Sequence, residues 1–216
     1  MKYPCIVFDH DDTVVNSSAT VHYPCFVQYM AEYHPEVHYT LEEFFEANFD
    51  PGVVEMYRSI GMSDEEMLFE QEYWKKYVKN HVPQVFDGVR ELMWEYKNAG
   101  GILCVVSHSY SENILRDYKA HGLPEPDEVY GWECPKELRK PNPYPLLKIM
   151  EKYKLRPDEL LVLDDLKPGY DMAKACGASF AAAGWAYDIQ KIEDFMRRNS
   201  KLYFKTVAEL REFLNT

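Results

Sequence analysis

Apolar and polar positions follow two different patterns along the chain, and the change comes early. Apolar residues from Pro4 to Phe8 predict a buried strand, which ends at the polar sequence Asp-His-Asp-Asp-Thr in positions 9–13. Between about residues 17 and 81 the residues follow helical spacing instead, and we find no convincing strand pattern there. The N-terminal part is therefore predicted to be one strand followed by an all-helical segment.

Capping signals divide this helical segment into several helices. Pro24 lies near the first turn of one predicted helix, and Thr40-Leu-Glu-Glu43 and Ser63-Asp-Glu-Glu66 have the form of capping boxes. Asp50-Pro51 is typical of an N-cap followed by proline at the first helical position. Helical spacing continues behind the second capping box and predicts a long amphipathic helix, through Met67, Gln71, Trp74 and Val78.

Strands and helices alternate from about residue 82 to the C-terminus. Apolar runs predict strands at 102–106, 160–163 and 178–183, and helices are predicted at 88–99, from Ser109 to Gly122, at 144–153, at 169–176 and after Thr206. Apolar strands that alternate with helices are typical of a parallel sheet covered on both faces. We therefore predict an α/β core of residues 1–16 and 82–216, with residues 17–81 inserted as a helical domain.

Composition and charge narrow the functional classes. Hydrophobic residues make up 46% of the 216 positions, which excludes a disordered chain, and a net charge of −12 disfavours nucleic acid and anionic membranes as partners. We find neither a membrane-spanning apolar run nor a signal peptide. The five cysteines are scattered without a Cys-x-x-Cys pair, so we expect reduced thiols in a cytoplasmic protein. The oligomeric state is left open.

Polar residues follow three of the predicted strands at their carboxyl ends. Asp9 follows the first strand, Ser107 the second, and Asp164 and Asp165 follow the strand at 160–163. Each residue taken singly could be a turn former or a helix cap. Because ligands of open parallel sheets bind at the carboxyl ends of the strands, the three positions together predict a functional site.

The charges of this predicted site call for a cation. Asp9, Asp11, Asp164 and Asp165 would place four carboxylates in one pocket, which is untenable beside an anionic substrate unless a cation is bound. Mg²⁺ is the natural candidate because it prefers oxygen ligands and substrate phosphate. Pro141 biases Lys140 to an extended loop conformation, where its ammonium could pair with a phosphoryl oxygen or a carboxylate. A metal and a lysine suit phosphoryl transfer.

These residues occur in the order of four known motifs, and the chain resembles the haloacid dehalogenase superfamily, in its phosphatase branch with a helical cap. Residues 8–14 resemble the first motif, Asp-x-Asp-x-Thr, and the strand ending at Ser107 resembles the second. The segment from Lys140 to Pro143 matches the third motif, and residues 161–177 with the Asp164-Asp165 pair resemble the fourth. The resemblance implies a Rossmann-like core with an inserted cap.

The resemblance also implies a role for each matching residue. Asp9 would be the nucleophile that forms an aspartyl-phosphate, and Asp11 would protonate the leaving oxygen and then activate water. Ser107 and the backbone amide of His108 would hold phosphate oxygens, and Lys140 would neutralise charge in the transition state. Related dehalogenases and phosphonate-cleaving enzymes lack an acid at the position of Asp11, so this residue favours phosphate ester chemistry.

The implied metal ligands come from the first and fourth motifs. Mg²⁺ would bind Asp9, the backbone carbonyl of Asp11 and the fourth-motif acids, with Asp165 as the direct ligand and Asp164 acting through a water.

The chain departs from the common pattern at three positions: His10 replaces an apolar residue, His108 replaces Asn, and Gly169 replaces a further Asp. Local hydrogen bonding or contact with the substrate could explain either histidine.

The favoured function is hydrolysis of a small phosphorylated metabolite, similar to phosphoglycolate phosphatase. A phosphomutase of the β-phosphoglucomutase type would share every core residue and differ in the cap, which would close over the site and select the leaving group. A phospho-aspartate receiver and a catalytically silent binding protein are the non-enzymatic alternatives. In a receiver the paired acids come first, whereas here the pair closes the series.

Overall fold

In the computed structural model, which describes residues 2–215, six parallel strands form one sheet. Its spatial order is β3-β2-β1-β4-β5-β6, so the N-terminal strand lies in the interior of the sheet. The strands are β1 (Cys5–Phe8), β2 (Ile102–Val106), β3 (Glu128–Tyr130), β4 (Leu160–Asp164), β5 (Ser179–Ala183) and β6 (Leu202–Phe204). The parallel sheet predicted from the sequence is confirmed.

Helices cover both faces of this sheet, as predicted. They are α5 (Val89–Asn98), α6 (Ser111–His121), α7 (Tyr144–Tyr153), α8 (Lys167–Cys176), α9 (Gln190–Asn199) and α10 (Val207–Asn215). Successive residues of a strand point to opposite faces, so Ile6 and Phe8 join one apolar cluster and Cys5 and Val7 join another. Helices α5, α6 and α10 pack into the first cluster, and α7 and α8 pack into the second.

The chain divides into two compact units, one formed by residues up to Asn16 and from Gln84 onwards, the other by Ser17–Pro83. Ser17–Pro83 contains a π-helical turn at Ser18–His22 and four helices, α1 (Tyr23–Tyr33), α2 (Leu41–Phe49), α3 (Val53–Ser59) and α4 (Asp64–Val78). Thr40 and Ser63 form the two predicted capping boxes. Aromatic side chains dominate the core of this unit, which includes Phe26, Tyr29, Phe44 and Tyr57.

One predicted helix start is wrong. Asp50 is the C-cap of α2, the peptide bond between Asp50 and Pro51 is cis, and α3 begins only at Val53. Gly52 has a φ of +105°, a value that favours glycine, and this residue turns the chain into α3. The sequence analysis also missed β3, β6 and α9, two three-residue strands at the edges of the sheet and one strongly polar helix.

The cysteine side chains and the helix lengths bear on the compositional expectations. All five cysteines are free thiols, and Cys5, Cys25 and Cys104 are buried. Within residues 2–215, every helix falls short of the length and apolar character needed to cross a bilayer.

Candidate active site at the carboxyl ends of the strands

Strands β1, β2 and β4 bring their polar ends together. Phe8 pairs in register with Val105 on one side and with Leu163 on the other, so the residues that follow these strands meet at one edge. Asp9 is fixed there by its backbone amide, which donates to the carbonyl oxygen of Leu163 at 2.8 Å. Ser107 is held in a similar way, because its amide donates to the carbonyl of Tyr130 at 3.0 Å.

The ammonium of Lys140 lies between two of the predicted acids. Its Nζ is 2.7 Å from Oδ1 of Asp9 and 2.8 Å from Oδ2 of Asp164, and all three residues are at least 96% buried. Burial alone would lower the pKa of Lys140, but the charges of Asp164 and Asp9 outweigh it and raise that pKa above its usual value. Lys140 is therefore a permanently charged partner of both carboxylates.

Three buried carboxylates form a group of the kind that holds a metal ion. Oxygen atoms of Asp9, Asp164 and Asp165 lie within 4.8 Å of one another. Burial raises the pKa of Asp164 despite the opposing charge of Lys140, and burial and the charges of Asp12 and Asp9 raise the pKa of Asp165 well above its usual range. One ammonium cannot balance three carboxylates, and an all-oxygen donor set suits a hard divalent cation.

Asp165 is oriented by two hydroxyl groups. Thr13 donates from Oγ1 to Oδ1 of Asp165 at 3.3 Å, and the Tyr187 hydroxyl lies 3.1 Å from Oδ2 and 2.9 Å from the backbone oxygen of Asp165. Thr13 is itself held by the indole of Trp185, which donates to its carbonyl at 3.1 Å. The sequence analysis missed Tyr187, because it follows β5 and reaches the site only through the fold.

Asp11 makes contacts that differ from those of Asp9, Asp164 and Asp165. Its Oδ2 accepts a hydrogen bond from Ser109 Oγ at 2.5 Å and lies 3.5 Å from Ser107 Oγ. Among the described residues, the side chains grouped for a metal are those of Asp9, Asp164 and Asp165. The metal contact predicted for Asp11 is through its backbone carbonyl, and the meeting of all four carboxylates in one pocket stays a prediction. Asp12, which the sequence analysis did not single out, is the further acid whose charge acts on Asp165.

Both unusual histidines make hydrogen bonds with residues that are distant in the sequence. His108 is 2.9 Å from the carbonyl of Lys140 through Nε2, and since a carbonyl only accepts, Nε2 carries the proton. Burial and the charge of Lys140 lower the pKa of His108 to about 3, so this imidazole is neutral. His10 pairs with Asp117 of α6, with 3.1 Å between Nε2 and Oδ2.

The chain is similar to known proteins in sequence and in fold. A phosphoglycolate phosphatase from Vibrio parahaemolyticus is 26% identical over 134 residues, which span 62% of this chain and 58%, less than two thirds, of that relative. A candidate haloacid dehalogenase-like hydrolase from Bacteroides fragilis has the same fold, with a TM-score of 0.80 at 23% identity over 97% of this chain and 100% of that one.

A second solved structure, a variant of CbbY from Rhodobacter sphaeroides in complex with xylulose-1,5-bisphosphate, shares the fold as well. Its TM-score is 0.71 at 17% identity, and the alignment covers 96% of each chain. The model of the haloacid dehalogenase-like hydrolases matches residues 6–183, a range that contains every predicted motif. Because that match covers most of its length, the chain belongs to the haloacid dehalogenase-like hydrolase family.

Proposed function

We propose that this protein is a Mg²⁺-dependent phosphatase that hydrolyses a small phosphorylated metabolite through an aspartyl-phosphate on Asp9. The observation that carries the proposal is the position of Asp9, buried at the end of β1 with Lys140 on its carboxylate and two further acids beside it. The Vibrio relative supports a phosphate ester as substrate, and phosphoglycolate is the first compound to test.

In the first half-reaction, a carboxylate oxygen of Asp9 attacks phosphorus and the bond from phosphorus to the leaving oxygen breaks. Asp11 gives its proton to that oxygen, and Lys140 offsets negative charge on the reacting groups. In the second half-reaction, Asp11 takes a proton from water, whose oxygen attacks phosphorus and releases Asp9 with inorganic phosphate. The Ser107 hydroxyl and the amide of His108 would bind phosphate oxygens throughout.

The residues present fit a bound Mg²⁺. Asp9, the backbone carbonyl of Asp11 and Asp165 would be its direct ligands, and Asp164, which Lys140 and the amide of Leu166 already engage, would act through a water. When bound, the ion would supply charge neutralisation for the phosphoryl group and the surrounding carboxylates. The helical unit Ser17–Pro83 would serve as the cap that selects the leaving group, and a cytoplasmic location stays a prediction.

The test is release of inorganic phosphate from an aryl phosphate and from phosphoglycolate, with and without Mg²⁺. We expect Mg²⁺-dependent release that Asp9→Asn abolishes while the circular dichroism spectrum shows that the fold is retained. Asp158→Asn, a matched change at an exposed acid, should leave the activity intact. Activity that persists in the Asp9 variant or without metal would contradict the mechanism, and turnover of sugar 1-phosphates to isomers would indicate a phosphomutase instead.

A further inference from the structure

Ser109 connects two of the predicted catalytic residues. It is 97% buried, and its hydroxyl donates to Oδ2 of Asp11 at 2.5 Å. Its backbone amide donates to Oγ of Ser107 at 3.2 Å, and its carbonyl accepts from the amide of Trp132 at 2.9 Å. All of the polar groups of this serine are therefore used, two of them on residues of the site.

The two serine hydroxyls near Asp11 lie at different distances from its carboxyl group. Ser107 Oγ lies 3.5 Å from Asp11 Oδ2, at the limit of a hydrogen bond, and this hydroxyl would donate to a phosphate oxygen instead when substrate is bound. Ser109 is much closer, because its Oγ lies 2.5 Å from Oδ2 of Asp11 and makes a short hydrogen bond. With phosphate in place, the bond from Ser109 would continue to orient Asp11.

We propose, on the basis of the proposed function, that Ser109 is a positioning residue for proton transfer. Its hydroxyl holds the Asp11 carboxyl group where a leaving oxygen can take the proton of Asp11. Its amide donates to Ser107 Oγ, so the hydroxyl hydrogen of Ser107 points away from that amide. As the phosphorus–oxygen bond breaks, the proton of Asp11 moves to the leaving oxygen and Asp11 becomes a carboxylate. The bond from Ser109 is stronger to that carboxylate than to the acid, so it favours the transfer.

The leaving group provides the test. An alkyl alkoxide needs a proton from Asp11 as it departs, whereas p-nitrophenolate leaves well without one. For Ser109→Ala we expect kcat/KM to fall about tenfold or more with an alkyl phosphate and at most about threefold with p-nitrophenyl phosphate. Ser109→Thr, which keeps the hydroxyl, should recover most of the loss, and Ser111→Ala, which removes a hydroxyl bonded to exposed Glu133, should change neither rate.

A double-mutant cycle shows whether Ser109 acts through Asp11. In an Asp11→Asn background, Ser109→Ala should cause no further loss, because the group it positions is already removed. Equal losses with both substrates, or the same loss in both backgrounds, would overturn the positioning role and leave the phosphatase assignment intact. A wild type without Mg²⁺-dependent phosphate release would overturn both. If the alanine variant does not fold, Ser109→Cys gives the same comparison, since a thiol is a weak donor.

Discussion

The carboxylate of Asp164 occupies the space where residue 169 would carry a side chain, because a Cβ atom on Gly169 would lie 2.1 Å from Oδ2 of Asp164. The same oxygen accepts a hydrogen bond from Lys140 at 2.8 Å, so moving the carboxylate would also disturb Lys140. This contact gives a physical reason for the glycine, which replaces the further Asp of the common motif. The side chain of Asp164 and a side chain at 169 exclude each other.

Gly169→Ala should therefore destabilise the protein, although glycine is a poor helix former. Within a helix the change would ordinarily stabilise by up to about 1 kcal/mol. Overpacking against Asp164 should reverse the sign and cost about 1–3 kcal/mol in the free energy of unfolding, measured with denaturant. Ala175→Gly, at an exposed site of the same helix, gives the size of the propensity effect alone. An unchanged or higher stability of Gly169→Ala would show that Asp164 can move aside.

Tyr187→Phe should weaken Mg²⁺ binding. The change removes the hydroxyl 3.1 Å from Oδ2 of Asp165, and outer hydrogen bonds to a metal ligand are worth about 10–100-fold in affinity. Calorimetric titration with Mg²⁺ measures this directly and needs no substrate. Tyr203→Phe is the matched control, because Tyr203 packs beneath Arg197 and lines the same cavity as Tyr187. Equal Mg²⁺ affinity in both variants would exclude an orienting role for the Tyr187 hydroxyl.

His108 should make the folded state sensitive to acid. Its pKa is about 3 in the folded protein and about 6.5 when exposed, so between these values the unfolded chain binds the extra proton. Stability is therefore lost as the pH falls below about 6.5. Relative to His108→Asn, the free energy of unfolding of the wild type should fall by up to about 1.4 kcal/mol per pH unit from pH 6 to pH 4, measured by denaturant unfolding. Parallel pH profiles would show that the wild-type imidazole becomes protonated without unfolding.

The parts of the fold that local chemistry determines were predictable. Side chains only three residues apart form the capping boxes at Thr40 and Ser63, and uninterrupted apolar runs give the central strands β1, β2 and β4. Because ligands of parallel sheets bind at the carboxyl ends of the strands, the sequence alone predicts one site for Asp9, Ser107 and the Asp164-Asp165 pair.

Features that depend on distant contacts were not predictable. Strands β3 and β6 have three residues each, which is too short for an apolar pattern to indicate a strand. The left-handed Gly52 is the N-cap of α3, so this helix begins later than the usual Asp-Pro signal indicates. Ser109 and Tyr187 reach Asp11 and Asp165 across long sequence separations, which no local signal reports.

The helical unit contains a buried acid whose titration should affect its stability. Glu70 is 93% buried in α4, and its Oε1 accepts a hydrogen bond from the Tyr57 hydroxyl at 2.7 Å. Burial raises the pKa of Glu70 to about 7, against the opposing effect of that hydrogen bond. Between about pH 4.5 and 7 the folded state therefore binds the extra proton, and the free energy of unfolding falls as the pH rises.

Replacing Glu70 with glutamine should remove this loss, because an amide oxygen can still accept from Tyr57 and carries no charge. From pH 4.5 to 8, the free energy of unfolding of Glu70→Gln should rise by about 3 kcal/mol relative to that of the wild type, as an upper bound set by the pKa shift. Hydrogen exchange of the α4 amides at pH 5 and pH 8 reports on this unit alone. Glu72→Gln, at an exposed residue paired with Lys75, should show no such gain. If the two variants respond alike to pH, the buried carboxyl of Glu70 does not control the stability of the helical unit.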